Sequence, residues 1–288
     1  MSEIILKSLQ GNPMLLDGGA MFGNAPRAMW SQWMAPDTNN RVRISSNCLL
    51  VKTPKTRILF ETGTGAYLPP ALKKRYGVME ESHVLLDSLA EEGLSHRDIS
   101  HVILSHLHFD HSGGLLSAHE PGRGSRLLFP QARFITGKAN FERCLSPHMR
   151  DRASFIPGLG ELLEQSGRLD LVEGGDRLEI NGVRIDFYES FGHTPGMITS
   201  FIRCSKISVV FAGDIAPGRH WVSLPITMGY DRFPEQLVDE KQEVLSQAQE
   251  EDAWIFYPHD HECVASKLAR DEGRNRFVPV GAIPELLL

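Results

Sequence analysis

Between residues 101 and 114 the chain reads HVILSHLHFDHSGG, a β-prone apolar run followed by His106, His108, Asp110 and His111 and then two glycines. Imidazole nitrogen and carboxylate oxygen are the donors that suit zinc and related first-row divalent ions. His106 and His108 are two apart, so an extended backbone points both to one side, and a chain that turns into a helix after them brings Asp110 and His111 round. A lone histidine here would read as a polar loop residue. Four potential ligands within six residues behind a buried strand point to metal instead.

The elements that position this cluster are strands in hairpins with helices between them. CLLVKTPKTRILFETG predicts a hairpin of Cys48 to Lys52 and Arg57 to Glu61. DRLEINGVRIDFYES predicts another about Asn181-Gly182, a two-residue turn that tolerates positive φ. TSFIRC and ISVVFAGD flank Ser205-Lys206 as a third pair. Helical patterns cover Ser82 to Glu92, Ala139 to Leu145, Gly160 to Ser166 and Pro234 to Glu250, the last with Leu237, Val238, Val244, Leu245 and Ala248 on a core-facing stripe. Hairpins in both halves with helices between them predict two sheets sandwiched between helix layers, an α+β fold in one domain over 1–288. RDEGRNR at 270–276 reads as a charged surface loop.

Composition narrows the classes. With 41% hydrophobic and 23% charged residues the chain resembles an ordinary soluble protein, and a net charge of −6 argues against a broad nucleic-acid-binding face. Cys48, Cys144, Cys204 and Cys263 lie far apart, without a C-x-x-C pair, and read as buried free thiols. No apolar run approaches a membrane span, and MSEIILKSLQGN lacks the features of a signal peptide, so the expected location is the cytoplasm, with no membrane partner.

SHLHFDHSGG matches the H-x-H-x-D-H signature of the metallo-β-lactamase superfamily, which the chain resembles from roughly residue 15 to 265. The resemblance implies an αβ/βα four-layer sandwich of two mixed sheets flanked by helices, and a dinuclear metal site. It also implies three further ligands: His193 in FGHTPG, Asp214 in VVFAGD and His259 in WIFYPH, each behind a β-prone run. By resemblance, His106, His108 and His193 hold one divalent ion, Asp110, His111 and His259 a second, and Asp214 bridges them; zinc is the expected metal. Two such ions sharing a water lower its pKa to about 7 and supply hydroxide at neutral pH, while polarising the bond under attack. Asp110 is expected to carry the proton to the leaving group as well. Glu61, where relatives commonly show aspartate, and His261, two residues from His259, are candidates for positions behind the ligands.

The subfamily resemblance is to quorum-quenching lactonases that open N-acyl homoserine lactones, in a branch that is also similar to methyl parathion hydrolase. It rests on SHLHFDHSGG, LLDGGAMFG and GDIAPGRH. In that branch the N-terminal loop walls the cleft. Here the loop, about residues 17–36, offers Met21, Phe22, Met29, Trp30, Trp33 and Met34 for an acyl chain or aromatic ring. The same apolar density would also cap a core or a homodimer interface. Several relatives place a helper tyrosine three residues after the bridging aspartate, where this chain has Pro217. His220 and Tyr230 are the candidates to replace it, with Phe22, Trp30, Trp33, Trp221 and Tyr230 expected at the substrate. His220 beside Trp221 also fits a structural histidine.

Rival chemistries lack their motifs. There is no G-x-S-x-G elbow for a serine nucleophile, and TGTG at 62–65 lacks the Lys-Ser/Thr of a phosphate loop, reading instead as a tight turn near the metal rim. No cysteine cluster supports a redox module. The expected partner is thus a small lactone or ester. An organophosphate or aryl ester hydrolase is the alternative, and a phosphodiesterase or nuclease is less favoured by the charge.

Overall fold

A computed structural model describes residues 4–288 except Lys206, Glu272 and Asn275. Six strands form the first sheet in the order Ile5–Gln10, Asn47–Lys52, Arg57–Phe60, His101–Ile103, Arg133–Gly137, Leu169–Val172, antiparallel through the first three and parallel thereafter. Seven form the second in the order Arg276–Ile283, Ala265–Asp271, Trp254–Phe256, Ile207–Phe211, Met197–Cys204, Val183–Ser190, Arg177–Ile180. Only Ile207–Phe211 and Trp254–Phe256 run parallel there. A separate ribbon pairs Met14–Asp17 with Arg41–Ile44.

The layering follows from strand periodicity. Along Asn47–Lys52, Leu49 and Val51 enter the core shared with the second sheet, where Ile185, Phe187, Ile202 and Phe211 meet them. Cys48 and Leu50 point the other way, into a core closed by Leu85 and Leu89 of helix Val84–Glu91, Phe141 of helix Lys138–Leu145 and Leu159 and Leu163 of helix Leu159–Gln165. Helix Pro234–Glu250 covers the outer face of the second sheet, packing Leu237, Val244, Leu245 and Ala248 against Val210 and Ile255. This is the four-layer αβ/βα sandwich. Among the described residues no helix is long and apolar enough to cross a membrane, and all four cysteines are free and buried.

The expected hairpins form, with Leu49 opposite Phe60 and Val183 opposite Ile180 across Asn181 (φ 47°) and Gly182 (φ 86°). Cys204 pairs with Ile207; Lys206 of that turn lies outside the described residues. Two readings change. The charged stretch 270–276 belongs at its ends to strands, with Asp271 opposite Arg276, although its Glu272 and Asn275 are not described. The N-terminal segment 17–36 is not simply a loop, because it contains helices Gly18–Phe22 and Arg27–Trp30. Asp17 caps the first, its Oδ1 accepting from Ala20 N at 2.8 Å.

Candidate metal centre

Strand His101–Ile103 pairs on both edges, so its continuation carries His106 and His108 out at the rim of the sandwich. His108 then precedes the one-turn helix Phe109–Ser112, which swings Asp110 and His111 back toward the same point. Gly113 and Gly114 make this turn sterically feasible. A Cβ on Gly114 would stand 2.1 Å from the Thr62 carbonyl oxygen and one on Gly113 2.2 Å from that of Thr64. The 62–65 turn thereby packs under the ligands, with Thr62 N and Oγ1 both donating to His111 O. From the second sheet come His193 after Val183–Ser190, Asp214 after Ile207–Phe211 and His259 after Trp254–Phe256.

The side chains converge as two sets. His108 Nδ1 lies 3.0 Å from His106 Nε2 and 3.2 Å from His193 Nε2. His259 Nε2 lies 3.0 Å from His111 Nε2 and 3.5 Å from Asp110 Oδ2. Asp214 stands between the sets, Oδ2 at 3.2 Å from His193 Nε2 and Oδ1 at 3.4 Å from His111 Nε2 and 3.5 Å from His259 Nε2. Donors about 2.0–2.2 Å from one ion in a tetrahedron stand roughly 3.3–3.6 Å apart, so these separations suit metal coordination. Asp214 Oδ1 is buried with no hydrogen-bond donor, a carboxylate oxygen in need of a cation.

Electrostatics agree with ligation. Burial, then the neighbouring imidazoles, hold His106 and His108 well below the ordinary histidine range, leaving the neutral form that binds metal. Burial also opposes charge on His111, but Asp214, Asp110 and Glu61 outweigh it and raise this group. Burial raises the Asp214 carboxyl, yet His111, His193 and His259 together hold it below its usual range. The carboxylates favour protons on His111 and His193, a balancing role that a divalent ion would take over.

Three of the imidazoles are aimed by a hydrogen bond at their other nitrogen, whereas His108 Nε2 is buried without a partner. His193 Nδ1 meets Asp231 Oδ1 at 2.8 Å, His259 Nδ1 meets the Ser45 carbonyl at 2.8 Å and His106 Nδ1 meets Ser105 Oγ at 3.0 Å. Glu61 Oε2 lies 3.4 Å from His111 Nδ1 while its Oε1 accepts from Ser105 N at 2.7 Å. These partners fix ring orientation and tautomer. Asp231, Ser45 and Ser105 were not foreseen: one acts through a backbone carbonyl, and the GYDRFP context of Asp231 carries no ligand-like pattern. His261 instead lies beside Glu262, Nε2 to Oε1 at 3.8 Å.

The centre opens into a cleft walled on its apolar side by Leu16, Met21, Tyr76, Phe109, Met228 and Tyr230. Of the residues expected at the substrate, Met21 and Tyr230 line it. Phe22, Trp30 and Trp221 are fully buried beneath and form a stack, Phe22 lying 5.6 Å from Trp30 and 4.5 Å from Trp221. Trp33 is half-buried against Phe22 and stacks on His220 at 5.6 Å, so neither Trp33 nor His220 reaches the cleft lining. The aromatic residues therefore back the wall: Trp221 Nε1 donates to the carbonyl of Met21, whose side chain does line the cleft.

Two sheets delivering converging histidine and carboxylate donors to one rim define a metal-binding hydrolase scaffold, and comparison with known proteins agrees. The chain resembles a probable metal-dependent hydrolase from Staphylococcus aureus at a TM-score of 0.83 and 26% identity, over 97% of this chain and 98% of that one. The fold is also that of AidC, a dizinc quorum-quenching lactonase, with a TM-score of 0.74, 20% identity and coverage of 99% and 96%. The N-acyl homoserine lactonase AttM of Agrobacterium fabrum is 23% identical over 203 residues, 66% of this chain and 68% of the relative. The sequence pattern of the metallo-β-lactamase superfamily matches residues 41–259. The chain belongs to the metallo-β-lactamase superfamily.

Proposed function

We propose that the protein is a dinuclear zinc hydrolase that opens N-acyl homoserine lactones or related lactones. The observation that carries the reading is the junction of the two donor sets with an apolar cleft, where an ester carbonyl and an acyl chain find their separate surroundings side by side. The weak similarity to AttM supports the same substrate class. His106, His108 and His193 would hold one ion and Asp110, His111 and His259 the other, with Asp214 between. Ions bound there supply a water ionised near neutral pH and Lewis-acid polarisation of the substrate oxygen.

The chain's own residues do the rest. Leu16, Met21, Met228 and Phe109 exclude water and receive the acyl chain. Tyr230 stands where His220 does not, at the cleft; burial and then Asp110 push its phenol up to about 12, so it stays protonated as a hydrogen-bond donor for the substrate carbonyl. Asp110 lines the cleft with part of its carboxylate exposed and is placed to pass a proton to the departing alkoxide. The substrate is a small molecule, without nucleic-acid or membrane partner, and the setting is cytoplasmic, in keeping with four free thiols. A homodimer fits this reading too, and quorum quenching is the biological use that it supports.

The test is acid release from a long-chain N-acyl homoserine lactone by zinc-loaded protein, with a chelated sample alongside. Metal-dependent release is expected. None from protein confirmed to carry two ions would overturn the lactone assignment and direct the search to aryl esters and organophosphates.

A further inference from the structure

Helix Pro234–Glu250 carries an inward apolar stripe, yet two adjacent ionisable residues on it, Glu240 and Lys241, are also buried, at 8% and 0% exposure. A carboxylate and an ammonium in a core are unfavourable unless fully hydrogen-bonded, and apolar residues would pack there at less cost. Burial pulls the Lys241 ammonium down to about 8, against the opposite pull of Asp231. Neighbours in a helix point in different directions, and each of these two grips a different loop.

Glu240 holds the chain entering His193. Its Oε2 accepts from Ser190 Oγ at 2.5 Å and Gly192 N at 3.0 Å, and its Oε1 from Phe191 N at 2.9 Å and Gln236 Nε2 at 2.9 Å. The grip is close: a Cβ on Gly192 would stand 2.4 Å from the Cα of Leu237. Lys241 holds the second loop, its Nζ donating to the carbonyls of Ile226 at 2.6 Å and Leu224 at 3.4 Å. Two residues further on, Met228 N donates at 2.6 Å to Asp231 Oδ2, whose Oδ1 meets His193 Nδ1. The loops are also tied directly, Arg232 N and Phe233 N both donating to Gly192 O.

We propose that Glu240 and Lys241 are a pair of positioning residues that fix His193 from both sides, one through its own backbone and the other through Asp231. The pair thereby sets how tightly the ion on His106, His108 and His193 is held. The inference rests on the metal-centre reading, not on the lactone. Neither residue touches a ligand donor atom; both act by limiting where His193 and Asp231 can stand.

Zinc titration of metal-free protein against a competing chelator, resolving the two sites, tests this in Glu240→Gln, Lys241→Met and Val244→Ala. Gln sets an amide NH₂ against N–H donors, Met keeps the length of Lys without its donors, and Val244 is core of the same helix without loop contacts of this kind. Replacing partners behind a ligand costs about 10–100-fold in affinity, and these act one step further out, so a loss of about 3–10-fold at one site alone is expected in the first two. Val244→Ala should lower the melting temperature with both zinc affinities unchanged. Ser190→Ala, which removes one bond to Glu240, gives a smaller loss at the same site and serves if a larger change prevents folding. Wild-type affinities in these variants, or an equal loss in Val244→Ala, overturn the proposal. Failure of the wild-type protein to bind zinc would overturn the metal-centre reading instead, and the inference with it.

Discussion

The ligand loop 105–114 and the N-terminal segment 17–36 both contribute to one cleft, and both stand out in the sequence, one by its histidines and the other by its aromatic density. In the loop, side-chain type implies position, because polar groups gathered in a nearly dry site are costly unless a cation or shared protons balance them. In the segment it does not. Apolar side chains lower the free energy equally well in a core or against a substrate, so Phe22 and Trp30 went beneath the wall and Met21, next to Phe22 in the sequence, went to its face. Polar constellations announce a role, whereas apolar density announces only burial.

The sharpest break of that contrast is in the loop's partners. Asp214→Ala removes the one carboxylate shared by both donor sets and leaves His111, His193 and His259 facing each other. Zinc content should fall and kcat/KM drop on the order of 1,000-fold, the equivalent of roughly 4 kcal/mol of transition-state stabilisation. Full occupancy and normal turnover would mean that Asp214 bridges nothing.

In the N-terminal segment, Trp30→Ala should act on stability. Trp30 is 1% exposed, stacked on Phe22 and pressed on Gly18, so its loss opens a cavity at a cost of about 3–5 kcal/mol in unfolding free energy. Denaturant titration reads this directly. KM should shift alike for short and long acyl chains, and a selective penalty on long ones would return Trp30 to the substrate wall.

How much the sequence tells depends on how local each signal is. Asn181-Gly182 holds its hairpin by two residues of permitted φ, and the stripe of helix Pro234–Glu250 repeats over about three turns. Strands such as His101–Ile103 and Trp254–Phe256, three residues long, show a β-prone run but no local pattern that names the distant segments they pair with in parallel. The partners behind the ligands are equally non-local: Ser45 lies 214 residues from the His259 it aims, and Asp231 lies 38 from His193. Glu240 and Lys241 read as the polar side of an amphipathic helix, because periodicity reports hydrophobicity and not which loops will lie across a helix.

Asp231→Asn tests one of those distant partners. The carboxylate now accepts from His193 Nδ1 and from Met228 N, and an amide can serve only one of them as acceptor. Zinc affinity at the site containing His193 should weaken about 10–100-fold with the other site unchanged, as seen by chelator competition. Equal weakening at both would assign Asp231 to the whole rim.

Met21→Ala returns the comparison to the wall with the smallest effect. Met21 is 2% exposed and part of a core cluster, yet it also lines the cleft, so truncation removes apolar contact with the acyl chain as well as core packing, the latter read separately by denaturant titration. Each methylene of acyl chain that loses its contact forfeits about 0.8 kcal/mol, so KM for long-chain lactones should rise about 4-fold per methylene while short chains are spared. Trp30 and Met21 sit in the same segment and the same core cluster. If both variants moved KM uniformly, the segment would have no face toward the substrate at all, and the acyl chain would have to lie against Tyr76, Met228 and Tyr230 instead.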